Sequence, residues 1–214
     1  MITLQEYLDQ KYPTREDKEE EIGIFSLEIN RGAKPGITKR LDLSYYSNLK
    51  IFDLSYPCSG FLINEINLEQ NENLTNLSLN NCQLTSINLN KNKNLKELSL
   101  CGNKLAKINL DENKNLEKLC LSDNQLTSIN LDKNTKLNEL NLNTNQLTNV
   151  NLEKNTSLIS LYLQGNKLTS VDFLNQLPQP NKLEILKVSS NNIQPTNIEI
   201  FSKFINLKEL KIGT

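Results

Sequence analysis

The residues of this sequence that could carry chemistry are its cysteines, its carboxylates and its glycines, because it contains no histidine. Without histidine, the usual nucleophile–base pairs and the commonest metal ligand are missing. The cysteines are separated by 24, 19 and 19 residues rather than by a C-x-x-C spacing; they are Cys58, Cys82, Cys101 and Cys120. Carboxylate pairs such as Asp111–Glu112 fall in predicted turns, and the seven glycines form no phosphate-binding run. We therefore expect no catalytic site, no bound metal and no cofactor.

A repeat of 21 residues organises the chain from Leu74 onwards. The motif L-x-x-L-x-L-x-x-N/C-x-L-x-x-I-x-L recurs across five units without a slip, and its leading leucines are Leu74, Leu95, Leu116, Leu137 and Leu158. The last two leucines of L-x-x-L-x-L face the same way, because side chains alternate along a strand. One unit cannot bury that face alone, so the repeat predicts parallel strands stacked about 4.8 Å apart over an aliphatic core.

These residues resemble the consensus of the leucine-rich repeat family, especially bacterial-type repeats with short convex sides. The resemblance covers about 37–214 and implies an α/β, mostly β, solenoid: a right-handed superhelix or horseshoe with a parallel concave sheet. Twenty-one residues leave little room for a convex helix, so Thr85–Leu89 and its copies are expected to be extended or a single 3₁₀ turn. The predicted units are 49–73, 74–94, 95–115, 116–136, 137–157, 158–182, 183–206 and a partial unit 207–214. Four additional residues within 54–63 predict a bulging loop.

The N-terminal end of the stack is expected to be covered, because a solenoid needs its terminal cores shielded from water. Residues 1–36 are predicted to form this cap. Thr3 and Glu6 fit a capping box, and the helix that follows would place Leu4 and Leu8 on one face. The alternating residues around Phe25 then predict an edge strand that can pair with the first repeat.

The C-terminal end is less regular. A helix is predicted after Pro195, with Ile198, Phe201 and Ile205 facing inward, and one last strand follows it without an evident cap. Three interpretations stay open: the helix and strand suffice, the chain was cut from something longer, or the open end pairs with a second copy. We expect a monomer, with a dimer through the C-terminal end as the alternative.

Two columns of asparagine recur in register. The first lies where each strand turns out of the sheet and is predicted to be a structural ladder of Cys82, Asn103, Asn124, Asn145, Asn166 and Asn191. An asparagine amide can donate and accept there, and so satisfy backbone groups that the turn would bury unpaired. The second column is predicted to have a structural role in the turn at the corner before each strand, and it contains Asn71, Asn92, Asn113, Asn134 and Asn155. Neither column is expected to bind a ligand.

The resemblance also implies a binding face, because members of the family usually bind partners through exposed side chains of the concave sheet. The predicted partner-binding residues are Glu97, Lys118, Glu139, Asn141, Tyr162, Gln164, Ile185 and Lys187. Lys118 lies between Glu97 and Glu139, which predicts a charge ladder across the strands. An aromatic and an aliphatic side chain beside a charge are typical of interface anchors, which favours the C-terminal group of Tyr162, Ile185 and Lys187.

The cysteines are expected to be small buried or half-buried hydrophobic residues. Cys101 and Cys120 fall diagonally on neighbouring strands, at roughly 7–8 Å. That separation is loose for a disulfide, so both are expected to be free thiols.

The charge and the N-terminus restrict the expected partner and location. With a formal charge of −1, the chain has no field that favours nucleic acid or an anionic membrane. The N-terminus lacks the pattern of a secretory signal, and no apolar run approaches the roughly 20 residues of a membrane span. We expect a cytoplasmic, non-catalytic scaffold that binds another protein. Two alternatives stay open: the recognition or targeting part of a larger regulatory or effector protein, and a secreted adhesin-like surface protein.

Overall fold

The computed structural model describes residues 4–11, 24–26, 40–54, 63–194 and 198–213. Within these ranges the chain is a parallel-sheet solenoid of about seven turns with little helix. Each unit from Leu74 onwards contributes one strand of three residues, and every strand pairing is parallel. The strands are β1 (Ile24–Ser26), β2 (Arg40–Asp42), β3 (Ile51–Asp53), β4 (Glu65–Asn67), β5 (Asn76–Ser78), β6 (Glu97–Ser99), β7 (Lys118–Cys120), β8 (Glu139–Asn141), β9 (Ser160–Tyr162), β10 (Ile185–Lys187) and β11 (Glu209–Lys211).

The main sheet has nine strands in the order β1-β3-β5-β6-β7-β8-β9-β10-β11. In the strands of this sheet from β3 to β10, the middle residue points into the core, and neighbouring middle residues are direct partners in the ladder, as in the pairs Leu98–Leu119 and Leu119–Leu140. The exposed fraction of these three leucines is at most 2%. The predicted row of stacked, buried leucines is therefore confirmed.

The secondary structure of the convex side depends on the length of each repeat, as predicted. The 21-residue units contain no helix between their strands; Thr85–Leu89 is irregular, and Leu89 is buried. Earlier in the chain the corresponding segments, β2 and β4, pair as a separate two-stranded sheet. The longer units carry 3₁₀ helices at Asp172–Gln176, Pro180–Lys182 and Ile198–Phe201, because their additional residues have to be accommodated outside the sheet.

After each of several strands, a residue in the left-handed backbone conformation turns the chain out of the sheet. Positive φ angles recur in register after the strands, at Asn81, Gly102, Asp123, Thr144, Gly165 and Ser190. Glycine, asparagine and aspartate tolerate this conformation, whereas the β-branched Thr144, at φ 52°, is under backbone strain.

The corner before each strand is closed by the second asparagine column. The Nδ2 group of Asn92 donates to the carbonyl oxygens of Leu68 (3.1 Å) and Asn71 (2.9 Å), and the same pair of bonds recurs at Asn113, Asn134 and Asn155. All of these amides are buried. Each one ties its own turn to the turn before it.

At the N-terminal end, helix α1 (Leu4–Lys11) lies against β2. Leu8 is buried, and the Gln5 side chain accepts a hydrogen bond from the backbone N–H of Asp42 at 2.8 Å. Strand β1 pairs with β3, with Phe25 and Phe52 as partners in the backbone register, so the sheet extends into the segment predicted as the cap. Thr3 and most of the predicted loop over 54–63 lie outside the described residues, and the boundary between 1–36 and 37–214 stays a prediction.

At the C-terminal end, the predicted inward position of Ile205 is wrong. Ile205 is 76% exposed, and Phe204 is buried in its place. The segment is a 3₁₀ helix of four residues, Ile198–Phe201, followed by a turn. With three residues per turn, Phe201 is followed on the same side by Phe204, whereas α-helical spacing would have favoured Ile205.

Candidate functional site

The residues that flank each buried leucine form the open face of the sheet, because side chains alternate along a strand. We call this surface the concave face. Its first column contains Ile51, Asn76, Glu97, Lys118, Glu139, Ser160, Ile185 and Glu209, and its second contains Asp53, Ser78, Ser99, Cys120, Asn141, Tyr162, Lys187 and Lys211. A third column, where the chain leaves the strand, contains Asn80, Cys101, Ser122, Asn143, Gln164 and Ser189. These side chains are half-buried or exposed.

The charged group in the middle of the concave face is asymmetric. Lys118 is in register with both Glu97 and Glu139, and its Nζ lies 2.9 Å from Glu97 Oε1. The other oxygen of Glu97 accepts a hydrogen bond from Asn76 Nδ2 at 2.9 Å. The hydrogen bond and charge of Glu97 raise the pKa of Lys118, and the charge of Glu139 adds to this effect. The ladder is therefore anchored at Glu97, while Glu139 acts on Lys118 through its charge.

A second group lies at the C-terminal part of the concave face. Lys187 Nζ is 2.9 Å from Glu209 Oε1 and 5.4 Å from the ring centroid of Tyr162, within the range of a cation–π contact. The hydrogen bond from Lys187 lowers the pKa of Glu209. Ile185 is half-buried on the same strand as Lys187 and lies beside Ser160. The structure thus brings the predicted residues Tyr162, Ile185 and Lys187 together.

Two further predicted residues, Asn141 and Gln164, also make hydrogen bonds within the protein. Asn141 Oδ1 accepts a hydrogen bond from the backbone N–H of Asn143 at 3.1 Å, where the strand ends. Gln164 Nε2 donates to Ser189 Oγ at 3.1 Å on the neighbouring turn. Both side chains face the concave surface but also hold its turns in place.

A depression of about 310 Å³ occupies the N-terminal half of the concave face. Ile51 and Asp53 form its first strand, and Glu97, Lys118 and Glu139 line the other side. Ile51 and Asp53 are not among the partner-binding residues predicted from the sequence. Aligning Phe52 with the first strand leucine of the regular repeats would have placed both on this face.

The first asparagine column forms a continuous hydrogen-bonded ladder under the edge of the concave face. The Nδ2 group of Asn124 donates to the carbonyls of Leu100 (2.9 Å) and Leu121 (3.1 Å), while its Oδ1 accepts from Leu105 N–H (3.0 Å). The same three bonds recur at Asn103, Asn145, Asn166 and Asn191.

Cys82 occupies the first position of that ladder. Its side chain is fully buried, its sulfur lies 3.5 Å from the Asn80 carbonyl, and burial raises the pKa of its thiol to about 12. Cys82 is thus a neutral, unreactive thiol at neutral pH.

The expectation that Cys101 and Cys120 are free thiols is wrong: the two residues form a disulfide. Their Cα atoms are 6.0 Å apart, inside the usual range for a disulfide. The diagonal of a flat sheet overestimates this separation, because Cys101 follows the end of β6 where the chain begins to turn out of the sheet. The bridge lies on the concave face beside the depression, since Cys120 lines it.

Comparison with solved structures identifies the fold. A leucine-rich repeat protein of Leptospira interrogans superimposes with a TM-score of 0.71 and 25% identity, over 79% of this chain and 44% of that one. Internalin C2 of Listeria monocytogenes gives 0.63 and 23%, over 94% and 84% of the two chains. The functional domain of InlJ from Listeria monocytogenes, which includes a cysteine ladder, gives 0.58 and 24%, over 77% and 42%. This chain has the leucine-rich repeat fold.

Neither a protein-family model nor a curated protein matches the sequence of this chain. It spans less than half of the Leptospira and InlJ chains. Among the residues that the structure describes, no helix is long and apolar enough to cross a bilayer, and no cluster of metal-ligating side chains occurs.

Proposed function

We propose that this leucine-rich repeat protein is a non-catalytic module that binds another protein through its concave face. The observation that supports this best is the unbroken register of the sheet from β3 to β11. The buried leucines fix every second residue on one open surface, so the side chains of that surface are positioned before any partner arrives. Such preorganisation reduces the entropic cost of association.

The group of Tyr162, Ile185 and Lys187 is the proposed anchor of the partner. The Tyr162 ring and the Ile185 side chain offer apolar area, and both are held by a strand rather than a loop. Lys187 is oriented by Glu209 and Tyr162, so it can meet a carboxylate of the partner without first losing much side-chain freedom. Aromatic residues with few rotatable bonds are frequent hot spots of protein interfaces.

The charged group of Glu97, Lys118 and Glu139 is the proposed secondary contact. It borders the depression, which can accept a side chain of the partner. Its net charge is negative, whereas Lys187 and Lys211 make the other end of the face more positive. A partner of opposite polarity along its length would match both ends.

A second candidate is a secreted, adhesin-like surface protein, and the observation that favours it is the disulfide between Cys101 and Cys120. Disulfides persist mainly in oxidising compartments. The cytoplasmic setting stays the expectation of the sequence. A tagged protein, expressed from its complete reading frame in its own cells, shows by its location whether it is cytoplasmic or secreted. The length of that reading frame also tests whether the chain is part of a larger protein.

The test of the binding face is affinity capture with matched variants. The variant Tyr162→Ala/Lys187→Glu removes the anchor, and Lys154→Glu makes the same charge change in an exposed convex turn. We expect a protein captured by the wild type and by Lys154→Glu to be lost from the concave variant. A further variant, Glu97→Lys/Glu139→Lys, is expected to weaken the same capture. Identical capture by all four chains would refute the proposed face.

A further inference from the structure

Two kinds of cysteine occur among the described residues. Cys82 fills a position of the buried asparagine ladder and contributes to the core. Cys101 and Cys120 instead occupy half-exposed positions of the concave face, where the other repeats place serine, asparagine, glutamine, tyrosine or charged residues. Core packing therefore does not account for a cysteine at either position.

The fold does not need the bridge between them. The strand pairs β5–β6 and β7–β8 have the same register as β6–β7, and no disulfide joins them. The buried leucine row and the asparagine ladder continue through these turns without change. Because the neighbouring turns hold their geometry by packing and hydrogen bonds alone, opening the bridge leaves the two strands where they are.

The surroundings of the sulfur atoms suit both the bridged and the open form. Ser99 Oγ lies 3.6 Å from Cys101 Sγ, and Ser122 Oγ lies 3.6 Å from Cys120 Sγ. Each sulfur thus has a hydroxyl group beside it that can hydrogen-bond to a thiol or a thiolate. Both sulfurs face the open concave surface, so a small molecule can reach them from solvent.

We propose that Cys101 and Cys120 form a reversible dithiol–disulfide site whose co-reactants are small thiols and disulfides of the glutathione class. In reduction, the thiolate of one small thiol attacks one sulfur of the bridge. The S–S bond breaks, a mixed disulfide forms on that cysteine, and the other cysteine leaves as a thiolate that takes a proton from water. A second small thiolate attacks the mixed disulfide, frees the second cysteine and departs as the oxidised small disulfide. The two small thiols supply the two electrons, and the reverse sequence closes the bridge.

The reduced site has a distinct binding chemistry. Two thiols on adjacent strands, with Cα atoms 6.0 Å apart, can both bond to one thiophilic atom. A trivalent arsenical forms a stable product with two neighbouring thiols but not with one. It therefore serves as a probe of the open dithiol.

The test uses the full chain carrying Cys58→Ser, so that the remaining exchangeable cysteines are the pair, with Cys82 as the internal control. The protein is equilibrated in buffers of varied reduced-to-oxidised glutathione ratio, treated while still folded with an excess of a fast alkylating reagent, and examined by mass spectrometry. We expect Cys101 and Cys120 to pass together from bridged to doubly alkylated as the ratio rises, while Cys82 stays unmodified in the folded chain. Reduced protein is expected to bind immobilised phenylarsine oxide.

Single substitutions test whether the two cysteines act together as one site or react independently. Cys101→Ser and Cys120→Ser are each expected to lose retention on the arsenical resin and to accumulate a mixed disulfide with glutathione. The double variant should keep the far-UV circular dichroism spectrum of the parent, which excludes misfolding as the cause. A bridge that persists at the most reducing ratio would show a purely structural disulfide and overturn the proposal. Thiols that stay free at the most oxidising ratio would also overturn it. The experiment needs no partner protein, so its result is independent of the proposed binding function.

Discussion

The asparagine ladder predicts that substitutions in neighbouring turns change the free energy of unfolding by more than the sum of their separate effects. The Leu121 carbonyl accepts hydrogen bonds from two amides, Asn124 Nδ2 at 3.1 Å and Asn145 Nδ2 at 2.9 Å. Either substitution alone, Asn124→Ala or Asn145→Ala, leaves this carbonyl with one donor. The double variant leaves it with neither, in a buried position where no protein donor replaces them.

The magnitudes follow from the groups left without partners. Asn124→Ala removes the acceptor of Leu105 N–H, and Asn145→Ala removes that of Leu126 N–H. Each buried unpaired group costs about 1–3 kcal/mol, so each single variant should lose roughly that amount of unfolding free energy. The double variant should lose the sum plus about 1–3 kcal/mol for the Leu121 carbonyl.

A control pair tests whether the shared carbonyl causes the coupling. Asn103 and Asn145 have no common acceptor, so their double variant should match the sum within about 0.5 kcal/mol. All variants would be compared by urea unfolding followed by far-UV circular dichroism, with equal m-values as the check on a common transition. Asn115→Ala, which removes a half-buried amide that bonds only at the protein surface, is the surface control. Equal coupling in the two pairs would refute the argument.

Three further predictions concern single groups. Because burial raises the pKa of Cys82 to about 12, the folded chain keeps a proton that the unfolded chain releases above about pH 9. Between about pH 9 and pH 12, the unfolding free energy of the wild type should therefore fall by about 1.4 kcal/mol per pH unit more than that of Cys82→Ala. Parallel pH profiles of the two unfolding free energies would contradict this prediction. The Glu209 carboxyl should titrate below its ordinary pKa in a carbon-detected NMR titration, and Lys187→Ala should raise its midpoint, whereas an unmoved midpoint would contradict the contact. Thr144→Gly should raise the melting temperature by relieving about 1 kcal/mol of left-handed strain, and Gly165→Thr should lower it; the opposite pair of shifts would count against backbone strain.

The sequence predicts those parts of the fold that follow from a strict period. The leucine row, the parallel register and the short convex segments each depend on spacing alone, so 21 residues per turn determine them. The meeting of Tyr162 with Lys187 follows for the same reason, because equal positions of adjacent units become ladder partners.

The features that sequence reasoning missed depend on more than the period of the repeat. The separation of Cys101 from Cys120 depends on how the chain leaves β6, and a flat lattice overestimates it. Ile51 joins the depression through a unit whose inserted residues hide its alignment with the regular repeats. Ile205 is exposed because its segment has 3₁₀ rather than α-helical spacing. In each case local backbone geometry, which residue types specify only weakly, decides the outcome.

One strand per turn also makes the length of this protein adjustable in fixed steps. Duplicating or deleting a complete 21-residue unit between β7 and β9 would preserve every contact between neighbouring turns elsewhere in the stack. It would change the distance between the Lys118 and Tyr162 groups by one strand spacing, about 4.8 Å. Chains that differ only in the number of units can therefore fit binding partners of different size while keeping the same surface residues in each unit.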